Sequence, residues 1–300
     1  FDADDSTTSP SQVASTTLSI APFGGATPGD DTIEGGMGDD TIFGNEGDDV
    51  LYGNGSEEVI EINHEWTVTD PLPPMSERRE LAEEDVNGVD PANLTFVADH
   101  PVSVSFISEG AGYQNTLGYY KVGPNGEISD VQFVFENASD NVLNSGDSVE
   151  LDIDAGDRIN FFIVANGNSH NNYDVFSGGS YQFVDGDGNP ATLTTDSPQL
   201  VYVGADGSVT PVNGPTYHSV GMDGDVGINP DGQQHSISGL NAETGGLQIA
   251  FEDLPALGDE DFNDLVIEVH AGPALTFGTD NDTIYGNDGD DIIFGNAGDD

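Results

Sequence analysis

The sequence contains no cysteine, and only four of its 300 residues are Lys or Arg. The first absence removes disulfides and thiolate metal sites. The second removes whole classes of function. A nucleic-acid binder needs clustered Lys and Arg to displace counterions from phosphates, and a protein held on anionic lipid needs the same. Long apolar runs are missing too. The best, 159–165, is interrupted by Asn160 and falls far short of the roughly 20 residues of a membrane span. No basic stretch or cleavage pattern follows Phe1, so any targeting signal is expected outside these residues. The sequence stops within a motif at Asp299-Asp300 and is expected to be a piece of a longer chain.

What is present is acid and glycine. Asp and Glu total 56, Gly 40, and the formal net charge is −52. Hydrophobic residues still make up 35%, enough to build a core, so the chain is not expected to be disordered. An acidic, cysteine-free, glycine-rich composition suggests a secreted protein stapled by hard cations, because so much like charge would otherwise oppose the compact state.

The charge is not evenly spread. From Ala26 the sequence falls into nine-residue units, ATPGDDTIE, GGMGDDTIF and GNEGDDVLY, and the unit returns as FGTDNDTIY, GNDGDDIIF and GNAGDD. Asp31, Asp40, Asp49, Asp282, Asp291 and Asp300 occupy one column, and Ile33, Ile42, Leu51, Ile284 and Ile293 another. The step from Asp49 to Asp282 is not a multiple of nine, so the middle is an insertion. Glycine allows the tight turns, and the apolar residue two places after each Asp starts a short inward-facing strand. Coils stacked about 4.8 Å apart bring aspartates together, where two carboxylates repel by roughly 3 kcal/mol at an effective dielectric near 20. A hard divalent cation taking six to eight oxygens converts that repulsion into coordination. The pattern resembles the RTX nonapeptide repeats of secreted bacterial proteins, which implies calcium bound in a parallel β-roll, and the six aspartates are the expected metal ligands.

Residues 1–23 read as a linker with one edge strand near 16–20, 24–55 and 277–300 as repeats, and 56–276 as the insertion. Whether the two repeat blocks form one interrupted roll or two short ones is left open by the sequence. Within the insertion, 75–86 is the only segment with helical character. Short apolar runs at 102–107, 119–122, 131–135, 158–164, 181–184, 200–203, 247–251 and 265–269, broken by Gly, Asn and Asp, predict an antiparallel β-sandwich. The overall expectation is all-β. Tyr119-Tyr120 and Phe161-Phe162 read as core and strand residues, with one tyrosine of the pair expected to face outward.

Three acidic clusters interrupt these runs. Asp185-Gly-Asp187-Gly-Asn189, with Asp196 in the twelfth place, has the oxygen spacing of an EF-hand-like loop, but Pro190 replaces its glycine; a hairpin is the alternative. Asp223, Asp225, Asn229 and Asp231, followed by His235, form an oxygen-rich loop that reads as a metal or ligand site, or as ordinary Asx turns. Glu252, Asp253, Asp259, Asp261, Asn263 and Asp264 crowd beside an apolar run, where burial of so many carboxylates calls for a cation. No H-E-x-x-H occurs, since His64-Glu65 is followed by Trp66, Thr67 and Val68, and no G-x-S-x-G elbow occurs, so no enzyme is expected. His170 and His218 read as exposed loop residues.

These phrases, with Gly112-Tyr113-Gln114-Asn115 running to Gly118-Tyr119-Tyr120 and Ala155-Gly156-Asp157 leading into Phe161-Phe162, resemble the ligand-binding, or peptide-binding, module of large bacterial RTX adhesins. The resemblance covers roughly 105–270. It implies a calcium-dependent β-sandwich at the bacterial cell surface that binds a peptide or protein of another cell, with Tyr113, Asn115, Asn229, Asp231, His235 and Asp261 near the ligand. A surface glycan as ligand and a ligand-free spacer are the alternatives. Nucleic-acid binding and membrane insertion are not expected, and the module is expected to be monomeric within its longer chain.

Overall fold

If the nonapeptides coil, the residue two places after each aspartate must leave water, and Ile33, Ile42 and Leu51 are all 0% exposed in the computed structural model. The structure describes residues 7–8, 17–19, 29–36, 39–54, 59–110, 112–220, 226–277, 281–295 and 300. The chain divides into two compact units, one of 1–62 with 275–300 and one of 63–274. The all-β expectation holds: among the described residues the α-helix is limited to the single turn Gly167–His170.

The first unit is the roll. Thr32–Gly36, Val50–Asn54 and Ile292–Phe294 run parallel in one sheet, with Thr7–Thr8 at its edge. In a second parallel sheet, Thr41–Glu46 lies between Thr17–Ser19 and Thr283–Asp288. Each coil therefore uses two nonapeptides, one per sheet. The leading tract, expected as a linker with one edge strand, supplies two short strands to these edges.

Backbone to carboxylate bonds run down each aspartate column. Asp31 N–H donates to Asp49 Oδ1 at 2.8 Å, 18 residues away, and Asp40 N–H donates to Asp282 Oδ1 at 2.8 Å, 242 residues away. The same bond thus forms within one block and across the insertion, and the two blocks make one roll. Glycine is required beside the column for space: Asp49 Oδ2 lies where a Cβ on Gly44 would stand, and Asp282 Oδ2 does the same over Gly53. The chain leaves at Val59–Ile62 and returns at Ala274–Phe277, two strands that pair with each other.

The second unit contains two antiparallel sheets. The five-stranded one has the order Ser148–Leu151, Val102–Ser108, Leu265–Ala271, Leu247–Phe251, Ser236–Leu240. The seven-stranded one runs Val209–Pro211, Gln199–Val203, Ser180–Val184, Ile128–Phe135, Thr116–Val122, Ile159–Val164, Thr216–His218. One core joins Val104, Phe106, Ile249 and Ile267 of the first sheet to Leu117, Tyr119, Phe161 and Ile163 of the second. Each such large apolar side chain contributes about 1.5–3 kcal/mol on burial.

A second core changes the outward-facing expectation. Tyr120, Phe162, Phe183 and Leu200 pack on the other face of the seven-stranded sheet, covered by Tyr173, Val220 and Ile228 from loops. Both members of each aromatic pair are therefore buried, because both faces of their sheet are covered. His218, expected in an exposed loop, ends a strand at 0% exposure, with Tyr120 Oη 3.1 Å from its Nδ1. Segment 75–86 is not an α-helix. It follows Pro73-Pro74 and crosses the five-stranded sheet as an extended strap, placing Met75, Leu81 and Val86 against Ile237 and Phe262. Its amides are drawn into tertiary bonds, Arg78 N–H to Asp261 Oδ2 and Leu81 N–H to Glu260 O, leaving one short 3₁₀ turn at Glu83–Asp85.

Candidate metal centre

Leu247–Phe251 and Leu265–Ala271 are neighbouring antiparallel strands, with Phe251 opposite Leu265. Their connection therefore brings Glu252 and Asp253, just after one strand, back to Asp264, just before the other. Ala256, Leu257, Gly258, Glu260 and Phe262 all have positive φ, so the loop coils tightly, and Phe262 anchors it at 0% exposure. Left-handed backbone at non-glycine residues costs about 1–2 kcal/mol each, so packing must hold it.

Two overlapping triads result. One carboxylate oxygen from each of Glu252, Asp259 and Asp261 lie within 4.8 Å of one another, and so do those of Glu252, Asp253 and Asp264. Glu252, Asp253, Asp261 and Asp264 are buried, while Asp259 is half-buried. Burial and the neighbouring Asp264 carboxylate push Glu252 and Asp253 well above the usual carboxylate range, and burial raises Asp264 as well. Hydrogen bonds fix the arrangement: Asp253 N–H donates to Asp264 Oδ2 at 2.7 Å, Asn115 Nδ2 to Asp253 Oδ2 at 2.7 Å, and Arg78 N–H to Asp261 Oδ2 at 2.5 Å.

The donor set fits calcium. It is entirely oxygen, which favours a hard cation. Glu252 Oε2 and the side-chain oxygen of Asn263 are buried and accept no hydrogen bond, an expensive state for acceptors that a cation would relieve.

The residues expected around a ligand divide by exposure. Asn115, Asn229 and His235 are buried, and Asn115 and His235 face Asp253 and Glu252 of the acidic loop. His235 lies 3.7 Å from Tyr217, ring centre to ring centre. Its ring nitrogens face Glu252 O at 2.8 Å and Asp231 Oδ2 at 2.9 Å, and Asp231 Oδ2 also accepts from Ala256 N–H at 2.7 Å. Asn229 accepts from His218 N–H and donates to Gln233 O. Asp231 therefore serves as a clamp on the acidic loop, with its carboxylate spent on protein donors. Tyr113 is 38% exposed and lines a cavity of about 280 Å³.

Glu109 in that cavity was missed from the sequence. Its carboxyl is raised by burial, and the adjoining Gly110 N–H donates to Asn263 O at 2.9 Å, which ties the cavity to the acidic loop. The only sequence signal was an acid preceding Gly110-Ala-Gly112. Asp185, Asp187 and Asn189 form the hairpin alternative: Asp185 Oδ1 accepts from the N–H groups of Asp187 and Asn189, and Asp185 N–H donates to Asn189 O. Asp223 and Asp225 lie outside the described residues. In the roll, Asp291 and Asp300 continue the column, accepting from Asp49 N–H and Asp282 N–H at 3.1 and 2.9 Å.

Among the described residues, no helix is long and apolar enough to cross a membrane. Neither a curated protein nor a solved structure matches the chain. Two families do. Residues 25–56 and 278–300 match the RTX calcium-binding nonapeptide repeat in four copies, and 153–272 match the domain of unknown function DUF4114. The chain thus carries RTX calcium-binding repeats, which flank a stretch containing a DUF4114 domain and, inside that domain, the Glu252–Asp264 acidic loop.

Proposed function

We propose that this chain is a non-catalytic, calcium-dependent ligand-binding module of a secreted adhesin, acting at a bacterial cell surface. The observation that carries this reading is the buried acidic loop, Glu252 to Asp264, joined through Gly110 and Asn263 to an open cavity that includes Tyr113. Glu252, Asp253, Asp259, Asp261 and Asp264 would hold the ion. A calcium ion bound there supplies a hard Lewis-acidic centre suited to a carboxylate oxygen of a ligand.

The chain's own residues do the positioning. Asn115 orients Asp253, His235 and Asp231 fix the backbone around Glu252, and Arg78 N–H holds Asp261. Half-buried Asp259 is the most exposed of these five carboxylates. The RTX repeats support a secreted setting, where free calcium is plentiful. A short peptide held by its terminal carboxylate is the ligand class this arrangement favours.

An array of short peptides, each with a free and an amidated C-terminus, probed with and without chelator, tests the reading. Binding is expected for free carboxylates in calcium only, and Asp261→Ala is expected to abolish it. Absence of calcium-dependent binding, or equal capture of amidated peptides, would sink the proposal.

A further inference from the structure

The span 73–86 has two fixed feet on one edge strand, Ser236–Leu240. Before the span, Leu240 N–H donates to Asp70 O at 2.7 Å, and Gly239 leaves the space that Pro71 and Leu72 fill. After it, Asn87 pairs with Ser238, its Oδ1 accepting from the N–H and its Nδ2 donating to the C=O, both at 3.0 Å. Between these feet, among the described residues, the span hydrogen-bonds to other elements at two points. Arg78 N–H donates to Asp261 Oδ2 at 2.5 Å, and Leu81 N–H to Glu260 O at 2.9 Å. Both acceptors belong to the acidic loop.

Little else holds the span down. None of residues 73–86 is buried, and their apolar grip is half-buried Met75, Leu81 and Val86 beside Ile237, Phe262 and Val266. Arg78 has φ 61°, a left-handed backbone that a non-glycine residue keeps only when its surroundings hold it. Its guanidinium does not help, since it is 81% exposed and pairs with Glu77 at 3.3 Å. Charge opposes docking. Glu77, Glu80, Glu83, Glu84 and Asp85 outnumber Arg78 and Arg79, and the loop that receives the span carries Asp259, Glu260 and Asp261. An acidic span laid on an acidic loop needs a cation to offset the repulsion.

We propose that residues 73–86 are a calcium-controlled strap, docked while the Glu252–Asp264 loop holds its ion and released when the ion leaves. Asp261 is at once a member of an acidic triad and the acceptor for Arg78, and Glu260 lies between two triad members. A loop that shifts on losing its ion therefore breaks both bonds together. The coupling is reciprocal: the docked strap tightens calcium by the same factor by which calcium tightens the strap. It rests on the metal centre and on no ligand of that centre. Release uncovers Ile237, Phe262 and Val266 and presents Arg78-Arg79 to proteases, which take their substrates as extended chain and cannot seat Arg78 in its docked form.

Trypsin tests this, because the four Lys and Arg residues are Arg78, Arg79, Lys121 and Arg158. Two lie in the strap, and the other two lie in or beside strands of the seven-stranded sheet. The full chain is digested in saturating calcium and in chelator, with a synthetic 73–86 peptide in each buffer to correct for the protease's own response. Cutting after Arg78 or Arg79 is expected to be at least roughly tenfold faster in chelator, with Lys121 and Arg158 left intact. Leu81→Ser weakens the apolar grip without touching an acid, and is expected to raise the calcium concentration that halves cleavage about fivefold. Equal rates in the two buffers overturn the proposal, and so does joint cutting at all four sites in chelator, which would mean that the whole unit unfolds. An unchanged midpoint in Leu81→Ser overturns the coupling. Calcium-dependent cutting in a chain that captures no peptide would support the strap and sink the ligand reading alone.

Discussion

Glu252 concentrates the electrostatic problem of the second unit. It is 0% exposed, it lies in both acidic triads, and its Oε2 accepts no hydrogen bond. Burial and Asp264 push its carboxyl up to about 9, with Asp253 raised for the same reasons. A carboxyl whose folded pKa lies above its unfolded one favours the folded state most where both are protonated. That advantage is lost as pH rises from the ordinary range near 4.5 through the raised value. The metal-free unit is therefore expected to lose stability between about pH 5 and pH 9. Calcium should flatten the curve, because coordination replaces the protons. Trp66, the one tryptophan, lies in this unit and packs against its core, so its fluorescence on thermal unfolding at several pH values reads the effect. Glu252→Gln should raise metal-free stability at pH 8 by about 1–3 kcal/mol and remove much of the calcium response. A metal-free melting temperature that does not change with pH would contradict the shared burial of these acids.

Among the elements, the seven-stranded sheet has a core on each face. Phe162 is fully buried among Tyr120, Phe183 and His218 on the face away from the first core. Phe162→Ala should cost about 3–5 kcal/mol, since it leaves a cavity that aromatic neighbours cannot fill. The turn after Ser180–Val184 provides the contrast. Asp185→Ala removes the acceptor of two backbone amides and should cost about 1 kcal/mol while leaving calcium stoichiometry unchanged. Denaturant unfolding in saturating calcium, with titration of each variant, checks both figures. A lower stoichiometry in Asp185→Ala would restore the loop as an ion site.

This contrast also marks what could be read from the sequence. The repeat period predicted the roll and its inward Ile33, Ile42 and Leu51, because coil geometry is local and repeats. The Glu252–Asp264 crowding was visible because all its members lie in one connection. Burial of Tyr120 and Phe162 was not, since the cover comes from Tyr173, Val220 and Ile228, and no strand pattern reports a cover supplied from elsewhere. Segment 75–86 looked helical by composition, but tertiary acceptors took its amides. That Asn115 faces Asp253 and His235 faces Glu252 was not legible, since those partners lie far away in sequence and meet only across the fold.

At the scale of the whole molecule, a net charge of −52 resolves into columns and loops of acids that fold best with cations between them. Chelation should therefore remove far-UV dichroism from the parallel strands first, and a spectrum unchanged by chelator would refute the calcium roll. A stricter prediction follows from the register. Asp40 bonds to Asp282 as Asp31 bonds to Asp49, although one pair is 242 residues apart and the other 18. Thr41–Glu46 pairs with Thr283–Asp288, and Val50–Asn54 with Ile292–Phe294, without slippage. The strand pairs and aspartate bonds named here join residues 31–54 to one another and to 282–300, and the flanking strands Val59–Ile62 and Ala274–Phe277 already pair with each other. Excising 63–273 and closing those strands with a two-residue turn such as Asn-Gly should therefore leave a shorter chain that still gains β-structure on calcium addition. The bonds down the aspartate column would survive, so Asp40→Ala and Asp282→Ala should each weaken the calcium-induced dichroism in the shortened chain as they do in the full one. A shortened chain that stays unstructured at millimolar calcium would mean the insertion templates the roll, against the continuity of its register.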